Sequence, residues 1–563
     1  MRVSSSGPAR CRRRRGIAAK RLAAVCVAAG LFAGLAPAAR ANHATGVLSS
    51  PVGNPVTGTT LVDGNWSFLA NYPAGPAAEQ PIGVDVEPFS RQQLDGLHRY
   101  LIASSMTTGF SIFDVTTPQS PIRLGDYGSA VCGPEAQVQQ LIDALARGGD
   151  FDAGSTALGA VHGWENDIQV TPDGKIAVIA TDAAGRCHDP ANGGMEIVDI
   201  SNPRAPSLLG LVRLPGESHN TTIDRDRPWI VYNSNSDSGG NNFIDVVDMS
   251  SCVALDPSRC RPSVGRFQFK DEWTTGTQTP DPSACHDLDW TSGKLYGGCI
   301  NSSLVFDISH VWSKGRLTGT DLTNPALVGA DKACTLQDPS PEAVVDVKVV
   351  DCRNWTEDAW KQSGAQPVNM RVLTTIRHAG ANLDEDAPPD QDIQISHQAT
   401  PLAGGKIVIV SDERGGGLNA PPGECPGGGL WFFDVRDAAH PQVARTPDGQ
   451  KAVFLPSPND TVQTAGTNCT AHVFHSWPGE TGMITEAWYS SGTQVFRYSI
   501  DLSRRPATVR FSDRQAYVPS GASTWTTRVY DERAAGDGSH KLFFVATDIS
   551  RGFDFFTLTL PRQ

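Results

Sequence analysis

Four histidines in this chain occur in closely similar surroundings: Ser218-His219-Asn-Thr-Thr, Cys285-His286-Asp-Leu-Asp, Ser396-His397-Gln-Ala-Thr and Ala471-His472-Val-Phe-His475. Each opens a short strand-like segment, and each is followed by a turn and an apolar run. His397 precedes Lys406 by nine residues; nine residues before Lys175 stands Asn166, with His162 slightly upstream as a possible fifth member. Neutral imidazoles that converge are ligands for first-row transition metals, and carboxylates nearby would orient their second ring nitrogens. The apolar runs end at or near Asp182, Asp412, Glu413, Glu486 and Asp548, of which Glu486 and Asp412 are the candidates for handling protons. Copper, iron or zinc would suit such a set, for oxygen chemistry or for Lewis-acid hydrolysis. The opposite reading is that a histidine at a fixed repeat position is a structural hydrogen bonder tying one repeat to the next.

The elements that would position these residues are set by a repeat. An apolar run ending in Asp and then a small apolar residue recurs as Phe110-Ser-Ile-Phe-Asp114-Val, Met195-Glu-Ile-Val-Asp199-Ile, Ile244-Asp-Val-Val-Asp248-Met, Leu304-Val-Phe-Asp307-Ile and Leu430-Trp-Phe-Phe-Asp434-Val. Each copy reads as a strand entering an Asp-led turn, and four are preceded by a second apolar run. One period is therefore an antiparallel sheet of three or four strands that must stack on its neighbours to bury both faces, and a ring of such sheets is a β-propeller. Seven units lie near residues 82–127, 159–214, 217–269, 284–328, 393–444, 469–511 and 524–560. At roughly 45 residues per blade, seven blades need only about 315 residues. The surplus is assigned to insertions near 128–158, with helical spacing over Pro134 to Arg147, and near 310–392. Because the first strand of a propeller blade lines the central channel, the histidines are expected to meet near one mouth of it.

The phrase Ile197-Val-Asp-Ile-Ser-Asn-Pro203, with looser copies elsewhere, resembles the LVIVD-repeat family of extracellular bacterial β-propellers. The resemblance covers most of residues 82–560 and implies a fold, without implying an activity.

The first 41 residues carry nine Arg/Lys and no acid, followed by an apolar run from Leu22 to Leu35 and then Ala39-Arg-Ala41, the pattern of a secretory signal peptide. The expected mature protein begins near Asn42 and is secreted. Residues 42–77 form an N-terminal segment and residues 78–563 the propeller. No other run is long and apolar enough for a transmembrane anchor. Without the leader the net charge of −13 becomes −22, a field that repels phosphate backbones and argues against nucleic-acid partners. Twelve cysteines become ten, an even count that reads as disulfides in an exported chain. Short spacings suggest Cys252 with Cys260, Cys285 with Cys299 and Cys334 with Cys352; Cys132, Cys187, Cys425 and Cys469 are left for longer links.

The last unit stops three residues after Leu560, too soon for an outer strand, whereas Asn65-Trp-Ser-Phe-Leu-Ala70 has strand composition and no partner. These two segments are expected to pair antiparallel and close the ring. Two functions fit the whole: a secreted binding or scaffold module that presents its channel mouth and insertions to a protein, glycan or small molecule, and an extracellular metalloenzyme in which His219, His286, His397 and His472 hold the ion.

Overall fold

The computed structural model describes residues 59–62, 65–72, 83–105, 109–128, 164–182, 194–213, 218–234, 243–268, 285–309, 311, 335–337, 349–351, 370–380, 383–384, 387–417, 425–457, 469–477, 482–549 and 551–561. His162, Cys132, Cys187, Cys334, Cys352, the leader and the helical stretch expected over 134–147 lie outside them.

Seven sheets succeed one another along the chain, and each is numbered here as a blade. The first strands are Gly83–Gln93, Trp164–Val170, Thr221–Ile223, Asp287–Thr291, Ser396–Leu402, Phe474–Trp477 and Thr524–Ala534. Second and third strands follow by antiparallel hairpin connections, so each sheet is a small meander. The repeated Asp has a local task at the end of the third strand. Its Oδ1 accepts the backbone N–H two residues on, as in Asp114 with Thr116 (2.8 Å), Asp199 with Ser201 (2.7 Å), Asp248 with Ser250 (2.8 Å) and Asp307 with Ser309 (3.0 Å). This is an Asx turn that reverses the chain into the outer strand.

Seven apolar clusters hold the ring together, each between two successive blades. Ile176, Val178 and Ile197 of blade 2 meet Val231 and Val247 of blade 3. Val86 and Leu101 of blade 1 meet Phe543, Phe553 and Phe555 of blade 7, which closes the circle. Burial that no single sheet could achieve is thus supplied by its neighbours.

Closure follows the expected pairing. Trp66–Tyr72 runs antiparallel to Gly552–Leu560, with Trp66 opposite Leu558, Phe68 opposite Phe556 and Tyr72 opposite Phe553. Trp66 is buried against Tyr517, Phe544 and Phe556 at ring centroid distances of 5.6, 5.4 and 5.5 Å. An unexpected second strand, Thr59–Val62, pairs with the outer strand of blade 6 through Val62 opposite Tyr517.

Two expectations need correction. The fourth unit does not end near residue 328: its outer strand is Arg371–Arg377, which pairs with Ser302–Asp307 from inside the stretch assigned to the 310–392 insertion. The same stretch lends two short strands to blade 3, where Val349–Asp351 lies parallel to Ser263–Gln268 and pairs with Thr335–Gln337. The insertion is therefore in part sheet. Three disulfides are described, Cys252–Cys260, Cys285–Cys299 and Cys425–Cys469. Two were expected from spacing, and the third joins two of the cysteines left for longer links. Among the described residues no helix is long and apolar enough to cross a membrane.

Candidate functional site

The histidines owe their placement to a bulge at the start of the first strand. In blade 5 the register slips between Ser396 and Ala399, so His397 and Gln398 fit where one residue would. Blades 1, 2 and 7 slip at Gly83/Val86, Glu165/Ile168 and Thr524/Thr526. In blade 3 both His219 and Asn220 bond Ser234, and in blade 6 both His472 and Val473 bond Ala487. In blade 4 the N–H of His286 reaches Gly298, the residue opposite Asp287. Such a bulge leaves the extra residue outside the ladder and re-aims its side chain. The position is filled by Val84, Asn166, His219, His286, His397, His472 and Trp525 in blades 1 to 7. Four successive blades therefore present an imidazole, and Asn166 holds the equivalent place in blade 2.

The rings form a buried arc. Centroids are 4.0 Å apart for His219 and His286, 4.1 Å for His286 and His397, and 4.4 Å for His397 and His472. The arc ends on Trp525, 4.6 Å from His472. None of the four histidines is more than 3% exposed. Close approach is required as well: a Cβ on Gly298 would stand 2.3 Å from the carbonyl oxygen of His397, so only glycine lets blade 4 press against this bulge. The Cys285–Cys299 bridge anchors the strand that carries His286.

Carboxyl groups alternate with the imidazoles. Asp287 Oδ1 lies 2.9 Å from His286 Nδ1, and its Oδ2 lies 3.6 Å from His397 Nδ1. Glu413 approaches His397 Nε2 at 3.9 Å and His472 Nε2 at 3.7 Å. Tyr489 donates its hydroxyl to Glu413 Oε1 at 2.6 Å. Burial pushes the Asp287 carboxyl up to about 8 against the lowering pull of His219. Burial likewise raises Glu413, opposed by His472 and by the Tyr489 hydrogen bond. A carboxyl whose charge is disfavoured by burial gains most when a cation arrives beside it.

Ligand atoms converge within 4.8 Å of one another in two buried groups, His219–His286–Asp287 and His286–His397–Glu413. Each is a set that could hold a metal ion. The four histidines thus lie in an arc, with two overlapping triads in place of a single four-imidazole point. His472 belongs to neither triad: its Nδ1 is 2.6 Å from the Trp525 carbonyl oxygen.

The two proton-handling candidates sit elsewhere. Asp412 Oδ1 accepts the backbone N–H groups of Gln394 (3.0 Å) and Ile395 (2.9 Å), and Arg414 lies 3.5 Å from its Oδ2. Burial raises its carboxyl to about 6, against Arg414 and those two amides. Glu486 Oε1 accepts the N–H of His472 at 3.0 Å, and burial holds its carboxyl well above the usual range. Asp548 does the same for Ser523 in blade 7 (2.8 Å). These acids cap the start of the channel strand, a job the repeat needs in several blades. Glu413, one residue beyond Asp412, and Asp287, one residue beyond His286, are the carboxyls that face the imidazoles.

In blades 1, 2, 3 and 5 the tie to the next blade falls to the residue after the bulge position, and in blade 6 His472 itself reaches the Trp525 carbonyl of blade 7. Asp85 accepts the N–H of Ile168 (3.2 Å), Asp167 that of Thr221 (2.8 Å), Asn220 that of Leu288 (3.0 Å) and Gln398 that of Phe474 (2.9 Å). A polar residue at this offset was visible in the sequence and is the signal that separates the tie from the site.

Three residues beyond the bulge, the strand faces the channel again. That position is polar in all seven blades: Glu87, Gln169 and Thr222, then Asp289, Thr400, His475 and Arg528. With His219, His397 and His472 they line a cavity of 220 Å³. Arg225, half exposed, pairs with Glu87 at 2.9 Å and marks where the cavity nears the surface, while Arg528 holds the other oxygen of Glu87 at 2.7 Å. The histidines therefore stand at the inner end of a polar chamber. Trp525 also lines this cavity, whereas Trp290 packs against the apolar cluster between blades 3 and 4 and Trp477 donates to Glu532 at 2.6 Å.

The fold and site define a seven-bladed propeller with a histidine- and carboxyl-lined channel. No protein-family model matches the chain, and no curated protein matches it. Among solved structures it is similar to a functionally unknown protein from Desulfotomaculum acetoxidans DSM 771, at 10% identity and a TM-score of 0.35 over 78% of this chain and 90% of that one. It is also similar to a chain of the COPII outer coat vertex on membranes, at 10% identity and a TM-score of 0.38 over 88% and 86%. Likeness at this level carries nothing about the site.

Proposed function

We propose that this chain is an exported propeller of the LVIVD-repeat kind whose channel holds a transition-metal ion, copper, iron or zinc, at the inner end of a small-ligand chamber. A propeller suits a binding module in general, and the ligand enters through the chamber. The observation that carries the reading is the convergence of His286, His397 and Glu413, all buried, within 4.8 Å. Three features support it. In blades 3 and 5 the tie to the next blade comes from Asn220 and Gln398, so His219 and His397 are not needed for that purpose, whereas His472 does reach the backbone of blade 7. The carboxyls flank ring nitrogens in the manner of outer partners that fix imidazole orientation. Disulfides and an acidic exported chain suit an oxidising compartment.

In this reading His286 and His397 are ligands, with Glu413 completing one triad and His219 with Asp287 offering the other. The bound ion supplies Lewis acidity or redox capacity. The protein's own groups exclude bulk water and fix the ligands: Glu413 is oriented by the Tyr489 hydroxyl and sits beside His472. Calorimetric titration of chelator-stripped protein with Zn²⁺ tests this. Saturable binding that is at least tenfold weaker in Glu413→Gln is expected. Zn²⁺ uptake unchanged by His286→Ala would reject the site.

A further inference from the structure

Three of the four imidazoles in the arc share one orientation. A carbonyl oxygen can only accept, so the 2.6 Å contact between His472 Nδ1 and the Trp525 carbonyl puts the ring proton on Nδ1 and makes Nε2 the lone-pair nitrogen. In blade 4 it is again Nδ1 that meets an outer oxygen, Asp287 Oδ1 at 2.9 Å. In blade 5 His397 Nδ1 is turned the same way, 3.6 Å from Asp287 Oδ2. The opposite nitrogens look toward Glu413: Nε2 of His397 lies 3.9 Å from its Oε2, and Nε2 of His472 lies 3.7 Å from its Oε1. A metal-ligating imidazole has this pattern, with one ring nitrogen donating outward to a carbonyl or carboxylate and the other directed at the ion.

The distances separate two ways in which Glu413 could meet these rings. Both exceed the ~2.7–3.2 Å of an N–H···O hydrogen bond, yet two atoms bound to one ion at about 2.1 Å can stand up to roughly 4.2 Å apart. Glu413 is thus spaced from His397 and His472 as a fellow ligand would be. The parts are held in advance. Tyr489 donates to Glu413 Oε1 at 2.6 Å, the His472 ring packs against Tyr489 and Trp525 at centroid distances of 4.7 and 4.6 Å, and Glu486 accepts the His472 backbone N–H at 3.0 Å. The tie from His472 to blade 7 uses Nδ1 alone, so the same contact fixes the tautomer and leaves Nε2 for the ion. Asp287, by contrast, meets His286 and His397 on their Nδ1 side, the side away from Glu413.

We propose that one ion is held by Nε2 of His286, His397 and His472 together with the Glu413 carboxylate, a three-nitrogen, one-carboxylate set drawn from three successive blades. Asp287 then stays outside the set as the acceptor for His286 Nδ1, and His219 is not a ligand. The inference rests on the metal reading of the arc; it selects one of the two triads and adds His472 to it.

Electron–nuclear double resonance on the full mature chain, loaded with Cu²⁺ and labelled with ¹⁵N-histidine, counts the ring nitrogens bound to the ion. Three strongly coupled nitrogens are expected in the wild type, two in His472→Ala and three in His219→Ala. A wild-type count of two, a count of three that survives His472→Ala, or a count that falls in His219→Ala would overturn the proposal. If His472→Ala does not fold, because its tie to blade 7 is lost, the other two samples still decide: three nitrogens that persist without His219 leave His472 as the third. Protein that binds Cu²⁺ with any other count refutes this ligand set and spares the metal reading. Protein that takes up no Cu²⁺ refutes the metal reading itself.

Discussion

The two halves of the ring use the same backbone device for different ends. In blades 3 to 6 the bulge at the channel carries His219, His286, His397 and His472; in blades 7, 1 and 2 it carries Trp525, Val84 and Asn166. The next residue nevertheless ties blade to blade on both sides of this divide, from Asp85 and Asp167 in one half to Asn220 and Gln398 in the other. Repetition thus accounts for where the side chains point, and the choice of histidine in one contiguous arc is a separate matter. The ring closes in the histidine-poor half, where Trp66–Tyr72 completes blade 7. Ring closure and chemistry are therefore spatially divided, and substitutions can test them apart.

The largest stability effect is expected at the closure. Trp66→Ala removes an aromatic side chain from the cluster with Tyr517, Phe544 and Phe556 and should cost about 3–5 kcal/mol in urea unfolding, with Zn²⁺ affinity unchanged. Wild-type stability in this variant would place closure elsewhere. A smaller loss, about 1–3 kcal/mol, is expected for Asn220→Ala and Gln398→Ala, which strand the buried N–H groups of Leu288 and Phe474. His219→Ala should cost less than Asn220→Ala. If the order is reversed, histidines and not their neighbours tie the blades, and the comparison fails.

The acid limb sharpens the contrast further. His378 is buried beside Ser303, which also bonds Ser396, and burial lowers it from 6.5 to about 3. Its neutral form is favoured by folding, so its contribution is complete above pH 6.5 and is lost as pH falls toward 3, by up to about 1.4 kcal/mol per pH unit. His378→Gln should flatten the stability profile between those limits by about one proton. An unchanged profile would show that His378 is protonated in the folded protein.

Much of this was legible in the sequence because the fold's own requirements repeat. Asp114, Asp199, Asp248, Asp307 and Asp434 each begin a turn whose geometry calls for a side-chain acceptor, so five of the seven blades could be recognised from them. The histidines could be aligned by their distance from the following strand. What could not be read depended on contacts across the chain. Arg371–Arg377 lies more than sixty residues beyond the strand it joins, and nothing local marks it as part of blade 4. Glu413 was among the acids the sequence placed near the channel mouth, although its neighbour Asp412 was given the proton-handling role; Asp287 was missed because it directly follows His286, and only the bulge at the strand start sets both beside the other imidazoles. His475, three residues after His472, belongs to the lower tier, where its Nε2 meets Thr526 Oγ1 at 2.8 Å.

The central claim is that the arc binds metal, and elemental analysis of the purified mature protein tests it most directly when run beside a His286→Ala/His397→Ala double variant of the same preparation. One copper, iron or zinc ion per chain in the wild type is expected, with none in the variant and its β-sheet circular dichroism preserved. A folded wild-type protein that carries no such ion and takes none up from Zn²⁺, Cu²⁺ or Fe²⁺, or a double variant with full occupancy, would contradict the account.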